Sequence, residues 1–172
     1  MTIDKDRRTL LATVPALAMT STFSGTVAQP APGQDGPTPT AEFAYEALVT
    51  LGTVQQAGNT PYGRRVRIPI TGGTFAGPRI RGTILPSGED WQLIRPDGFT
   101  VVEASYWMQA DDGTLIHIIN KGVAGPGYGR TTPWFEAPDG PHRWLNEAVF
   151  AGTFGAVPGR TDAVAIRVFK LV

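Results

Sequence analysis

Two carboxylate side chains lie in parts of the sequence where they could do acid–base chemistry, and Glu103 is the first. It lies in the apolar run 99–109, where the strand period of two places it on the same face as Trp107. If that face lines a barrel interior, burial raises the pKa of Glu103 and suits it to general acid or base catalysis. The alternative is that Glu103 pairs with an arginine such as Arg95 or Arg167 and only braces the sheet.

Asp90 is the second candidate, and an aromatic and an amide side chain, Trp91 and Gln92, follow it directly. A carboxylate beside an indole at the mouth of a barrel can orient a polar ligand that contains a ring. Asp90 also follows the turn residues 86–88, where aspartate often accepts backbone N–H bonds. The sequence leaves both roles open, a ligand site and a turn cap.

Three further side chains could complete an acid–base site. Tyr106 lies on the opposite face of its strand from Glu103 and could donate a proton. Asn120 or Asn146 could hold a developing oxyanion. This set predicts a lyase, cyclase or isomerase that needs no cofactor.

The segment 122–142 is rich in glycine, proline and aromatic residues and is predicted to be a long loop that acts as a lid. In that role Trp134 and Phe135 close over an aromatic ligand. Arg130 would pair with a ligand carboxylate, and Glu136 would accept a hydroxyl proton. The alternative is that Trp134 and Phe135 fill the end of the barrel as core.

Several other chemistries are not predicted. The chain has no cysteine, which excludes thiolate catalysis and disulfide bonds. The two histidines, His117 and His142, lack metal-ligand spacing, so no metal site is predicted. Ser105 lies outside any Gly-x-Ser-x-Gly motif, with no histidine placed near it by sequence. The Gly-x-Gly repeats in 125–129 lack the Lys-Ser/Thr of a phosphate-binding loop.

The elements that would position these residues are β-strands, because alternating apolar runs recur between Gly and Pro turns such as Gly72-Gly73, Gly77-Pro78 and 86–88. The pattern predicts an all-β fold, a single closed antiparallel barrel of about eight to nine strands that encloses one small ligand. The predicted strands are 43–51, 65–70, 79–85, 90–95, 99–109, 115–121, 134–136, 143–154 and 164–172.

Some of these runs, notably 101–108 and 115–119, are apolar on both faces. Sheet faces that stay in water are usually polar. We therefore expect a partner subunit, as in a homo-oligomer, or the segment 122–142 to cover the outer face.

The first 41 residues lack the pattern of strands and turns that characterises the rest of the chain. Residues 1–28 contain Arg7-Arg8, an uncharged run and a cluster of small residues, as in a twin-arginine export signal. The alternative is an N-terminal helix of the domain. Residues 29–41 are predicted to be a Pro/Gly-rich linker and residues 42–172 the barrel domain. The protein is thus predicted to be periplasmic or secreted, without membrane attachment after signal cleavage.

The balance of basic and acidic residues indicates which classes of partner the protein can bind. Cleavage after residue 28 leaves 12 basic and 13 acidic residues, which argues against a nucleic-acid-binding protein. Ten of the 12 basic residues are arginines, whose planar guanidinium suits a carboxylate-bearing ligand.

Residues 68–78 read IPITGGTFAGP and residues 85–92 read LPSGEDWQ. Further motifs follow in order: Arg95-x-Asp97-Gly98, Asp111-Asp112-Gly113, Asn120-x-Gly122, Arg130-Thr131-x-Pro133-x-Phe135-Glu136 and Trp144-Leu145-Asn146. Together they resemble the UPF0311 or DUF3237 family over about residues 43–172. The resemblance implies a lipocalin-like or calycin-like closed β-barrel with no assigned chemistry. The chain departs from the family pattern at Glu89, where alanine is usual, and at Ser105, where an arginine next to the carboxylates is usual.

These features support three kinds of function. The first is a binding barrel that holds a small, partly aromatic molecule with aromatic walls and a few polar anchors. The second is a cofactor-free enzyme in which Glu103 or Asp90 carries the proton. The third is a structural subunit of an oligomer.

Overall fold

The structure is a computed structural model that describes residues 36–172, and these residues form a closed antiparallel β-barrel. Its strands are β1 (Ala41–Leu51), β2 (Gln55–Thr60), β3 (Gly63–Ala76), β4 (Arg81–Ile84), β5 (Gly88–Ile94), β6 (Thr100–Ala110), β7 (Leu115–Gly125), β8 (Tyr128–Glu136), β9 (Phe150–Ala156) and β10 (Ala163–Leu171). A short 3-10 helix, Arg143–Asn146, precedes β9. The predicted fold class is confirmed.

The barrel wall closes through β3, which changes partners halfway along its length. Its first half pairs with β2 and β5, and its second half pairs with β1 and β4. β4 and β5 therefore follow one another in the same direction between β3 and β6. The wall continues through β6, β7, β8, β9 and β10, and β10 pairs with β1 to complete the ring.

Two of the three predicted turns are wrong. Gly72 and Gly73 lie inside β3, with φ of 140° and 144°, where the strand passes from one pair of partners to the other. A side chain at Gly73 would place its Cβ 2.2 Å from the carbonyl oxygen of Leu48 in β1, so glycine permits this close approach. Residues 86–88 interrupt the wall between β4 and β5 without reversing the chain. The Gly77-Pro78 turn is present between β3 and β4, where the amide of Gly77 donates to the carbonyl of Ile80 at 2.7 Å.

The predicted lid is also wrong, because most of the segment 122–142 is strand. It contains the end of β7 and all of β8, and β8 alternates strictly between buried and exposed residues. Pro133 is tolerated inside β8 because the ladder between β8 and β9 pairs only Arg130 and Thr131, and it leaves that edge free at residue 133. The sequence analysis also missed β2, whose residues are all exposed.

One half of the barrel is filled by core side chains. Phe135 packs edge-to-face on Phe150, with ring centroids 5.0 Å apart, and on Tyr45 at 6.2 Å. The Tyr45 hydroxyl lies 3.9 Å from the sulfur of Met108. The 3-10 helix adds the buried Leu145. Phe135 therefore belongs to the core, as the alternative interpretation of this segment predicted, whereas that interpretation is wrong for Trp134, which is exposed.

The predicted signal, residues 1–28, and residues 29–35 of the predicted linker lie outside the described residues. Residues 36–40 precede β1 and are exposed. Among residues 36–172, no helix is long and apolar enough to cross a membrane.

Candidate functional site

The other half of the barrel encloses a cavity of about 120 Å³. Its wall is mostly apolar, with a few polar side chains from β5 to β8. The lining residues are Val49, Leu51, Ile70, Asp90, Gln92, Val102, Ala104, Tyr106, Asn120, Thr131, Phe154, Val164 and Ile166. An engineered cavity of about 150 Å³ accepts benzene, so this one has room for a group about the size of a small ring.

Small residues in the wall leave this space open. In the register of the sheet, Asp90 lies opposite Ala104, and Ala104 lies opposite Asn120 on the next strand. In the neighbouring row, Gly122 lies opposite Thr131. Because alanine and glycine fill little of the interior, the polar side chains border an open volume.

Asp90 carries the carboxylate of the cavity. Its Oδ2 accepts a hydrogen bond from Nε2 of Gln92 at 2.6 Å, and its Oδ1 accepts a longer one from the backbone amide of Glu103 at 3.3 Å. Burial raises the pKa of Asp90, and these two hydrogen bonds oppose the shift. The group is thus a carboxyl whose ionised form is disfavoured by a largely apolar surrounding.

Tyr106 is fully buried and lines the same cavity. Its pKa is raised, first by burial and then by the negative charge of Asp90. The phenol therefore stays protonated and is suited to donating a hydrogen bond rather than to acting as a base.

Two polar atoms of the cavity wall are buried without a hydrogen-bond partner among the described residues: Oδ1 of Asn120 and Oγ1 of Thr131. Unpartnered buried polar atoms are rare and costly in folded proteins. Thr131 was missed by the sequence analysis, because the lid interpretation hid the alternation of β8 that points Thr131 inward.

Four of the predicted site residues line the cavity: Asp90, Gln92, Tyr106 and Asn120. They come from β5, β6 and β7, which are adjacent in the wall. Their roles in binding or catalysis remain predictions.

The predicted interior position of Glu103 is wrong. The inward face of β6 carries Val102, Tyr106 and Met108, so Glu103 points outward. It is exposed and forms a surface ion pair with Lys121, whose Nζ lies 3.0 Å from Oε1. This ion pair braces the sheet surface, but with a different partner from either arginine considered above.

Four other predicted residues lie outside the cavity. Trp91 is partly exposed and its indole N–H donates to Oε1 of Glu89 at 2.9 Å. Trp134 is 60% exposed and Glu136 is exposed, both on the outer face of β8, so neither acts as a lid. Asn146 instead fixes the chain after β8, since its side chain bonds the backbone N–H and carbonyl of Ala137 at 2.8 and 2.7 Å.

Arg130 lies in a groove beside the cavity. The groove, of about 530 Å³, is lined by Gly125, Gly127, Tyr128, Gly129, Arg130, Phe154, Gly155, Ala156 and Val164. Phe154 and Val164 line both the groove and the cavity, so the two spaces adjoin.

The outer face of β6 and β7 brings Ser105 and His117 together. The Ser105 hydroxyl lies 3.0 Å from Nε2 of His117, and the Trp107 ring lies 5.0 Å from the imidazole. Sequence spacing alone gave no sign of this pair. Trp107 and Leu115 on this face are exposed, and the predicted homo-oligomer stays a prediction.

Ser105 stands where the resemblance to the UPF0311 or DUF3237 family implies an arginine, and it lies on the outer face of β6, away from the cavity. The carboxylate opposite it, Glu89, pairs instead with Arg67 from β3. The substitution therefore leaves the polar residues inside the barrel untouched. Within residues 36–172, no three His, Asp or Glu side chains are grouped as metal ligands.

Comparison with known proteins places this architecture in a family. The model of a family described as "Protein of unknown function (DUF3237)" matches residues 39–171. A UPF0311 protein from Rhodopseudomonas palustris (strain TIE-1) is 34% identical over 155 residues, which cover 78% of this chain and 99% of that protein. A solved structure of a β-barrel-like protein from Acinetobacter baumannii superposes with a TM-score of 0.76 at 29% identity, over 81% of this chain and 99% of that chain.

One relative carries the name of an enzyme. The hydroalkoxylation enzyme phnH from Penicillium herquei is 27% identical over 115 residues, which cover 67% of this chain and 74% of that protein. With the family model matched over almost the whole barrel, the chain belongs to the DUF3237 family.

Proposed function

We propose that the protein binds a small, partly aromatic molecule in the barrel cavity and catalyses a proton-transfer reaction on it through Asp90. The observation that carries the proposal is the half-buried carboxyl of Asp90, which lines one apolar cavity with Tyr106 and the unpartnered Asn120 Oδ1, and whose pKa is raised by desolvation. Desolvated carboxyls of this kind serve as general acids and bases.

The similarity to a hydroalkoxylation enzyme supports addition or elimination of an oxygen nucleophile as the reaction class. In such an addition the π bond of an alkene breaks while a carbon–oxygen bond forms at one of its carbons. The hydroxyl proton leaves the oxygen, and a proton is added to the other carbon. Asp90 can deliver one proton and take up the other, so it ends the reaction in its starting state. Tyr106 and Asn120 would hold the reacting oxygen through hydrogen bonds.

A non-catalytic binding barrel is the second candidate, because most of the cavity wall is apolar and the same polar atoms could serve only as anchors. The two functions make different predictions for Asp90. A purely binding protein tolerates Asp90→Asn with unchanged chemistry of its ligand, whereas an enzyme does not.

The test begins with native mass spectrometry of the full-length protein from its own host. We expect a co-purifying small molecule in the wild type and in Glu103→Gln, an exposed carboxylate control on the neighbouring strand. The molecule should be lost in Ala104→Leu, whose larger side chain fills the cavity. Phenol, which combines a ring and a hydroxyl, is the probe for calorimetric binding to the same variants.

The chemical step is tested on the identified molecule in D₂O. We expect the wild type to incorporate deuterium at carbon and Asp90→Asn to bind the molecule with exchange reduced by about 10²-fold or more. Equal exchange in both proteins would exclude Asp90 as the proton carrier. Binding of neither the natural molecule nor phenol by the wild type would exclude the cavity as a ligand site.

A further inference from the structure

We infer that the substrate carries a carboxylate, and that Arg130 binds this group in the groove beside the barrel mouth while the apolar ring occupies the cavity. This inference rests on the proposed function, because it assumes that the cavity is the ligand site. It adds the chemical class of the ligand and a specificity-determining residue outside the cavity.

Arg130 is next in the sequence to a residue of the cavity wall. It precedes Thr131 on β8, and Thr131 lines the cavity, whereas Arg130 lines the groove. Phe154 and Val164 form the wall that the two spaces share. In the inferred binding mode, a ligand longer than a single ring extends past these two residues from the cavity into the groove, where its carboxylate pairs with the guanidinium.

The guanidinium of Arg130 is held in place by two contacts but forms no ion pair among residues 36–172. Nη1 donates a hydrogen bond to the carbonyl of Gly129 at 2.8 Å, and the guanidinium carbon lies 5.0 Å from the centroid of the Tyr128 ring. These contacts orient the group. Among residues 36–172, no carboxylate lies within ion-pair distance of Arg130, so its remaining N–H donors are available for the forked pairing that a carboxylate offers.

The test compares two probes of nearly equal shape, 3-phenylpropanoate and its neutral amide, by calorimetric titration of the full chain. We expect the wild type to bind the carboxylate about ten-fold or more tightly than the amide. Arg130→Gln should abolish this preference and leave amide binding unchanged. Arg160→Gln is the matched control, since Arg160 lies before β10 and is already paired through two hydrogen bonds with Asp162.

The outcomes separate the two proposals. If the wild type binds both probes equally, or if Arg130→Gln keeps the preference, the inference about Arg130 is wrong. If Ala104→Leu still abolishes binding of both probes in that case, the cavity remains the ligand site. If the wild type binds neither probe, the inference is overturned, and the phenol titration decides whether the cavity proposal falls with it.

Discussion

Asp90 and Asn120 lie in one row of the barrel wall with only the methyl group of Ala104 between them. Both side chains point into the cavity, one as a carboxyl and the other with an unpartnered carbonyl oxygen. The space above Ala104 is thus bordered by two acceptors and favours a ligand that donates hydrogen bonds. The following predictions test this arrangement and the fold that maintains it.

The first prediction concerns the pH dependence of stability. Because burial raises the pKa of Asp90, the folded protein keeps this proton to a higher pH than the unfolded chain does. Between the unfolded value of about 4 and the folded value, the folded state binds more protons, so the free energy of unfolding falls as pH rises.

Asp90→Asn removes the fall in the free energy of unfolding with rising pH that Asp90 causes, since asparagine does not ionise. We expect the variant to be more stable than the wild type at neutral pH, and the difference to shrink as pH falls through about 4. Urea denaturation at a series of pH values measures it, with Glu103→Gln as the exposed control. A difference that does not vary with pH would contradict the prediction.

The second prediction concerns the unpartnered hydroxyl of Thr131. Thr131→Val removes a buried oxygen without a partner and keeps the branched shape, so we expect the free energy of unfolding to rise by about 1 kcal/mol. The exposed neighbour Thr132→Val provides the comparison. A clear loss of stability in Thr131→Val would indicate that the hydroxyl is satisfied in the folded protein.

The third prediction concerns the closure of the barrel at Gly73. Alanine there would have positive φ and a Cβ in contact with the Leu48 carbonyl, so we expect a loss of about 2 kcal/mol or more. Gly155→Ala is the control, since its Cβ would meet no atom within 4 Å and its φ is not in the left-handed region. Thermal denaturation of the two variants gives the comparison, and similar melting temperatures would argue against the β1–β3 contact.

The fourth prediction separates two adjacent aromatic residues on β8. Phe135 is buried among Tyr45 and Phe150, so Phe135→Ala should cost about 3–5 kcal/mol. Trp134 points to solvent, so Trp134→Ala should change stability by about 1 kcal/mol or less. Chemical denaturation of both variants measures the two costs. Comparable losses would mean that another surface covers Trp134 in solution.

Strand positions could be predicted from sequence because glycine and proline turns separate runs with a clear period of two. The face that points inward could not be predicted for β6, because both of its faces carry large apolar residues: Val102 and Met108 inside, Trp107 outside. Glu103 was therefore assigned to the wrong side. When the assignment of a strand is shifted by one residue, every side chain that points into the barrel is assigned to the surface, and the reverse.

Contacts between side chains on neighbouring strands were even harder to predict from the sequence than the inward face of a strand. The pair of Ser105 and His117 depends on the register of β6 against β7, which the sequence does not state. Thr131 was hidden because Gly127, Gly129 and Pro133 are typical of loops. Only Gly127 lies in the turn, and β8 accommodates Gly129 and Pro133. Asp90, Gln92 and Asn120 were identified because they stand in recognisable motifs, LPSGEDWQ at residues 85–92 and Asn120-x-Gly122.

Pro86 and Ser87 separate two short strands, β4 and β5, which lie one after the other between β3 and β6 in the barrel wall. β4 pairs only with those parts of β3 and β6 that surround the packed core, and β5 pairs with the parts that surround the cavity. The cavity residues of β5, Asp90 and Gln92, therefore lie outside the packed core, to which β4 contributes Ile84. A substitution at either of these two residues is expected to alter the cavity more than the packing of the core.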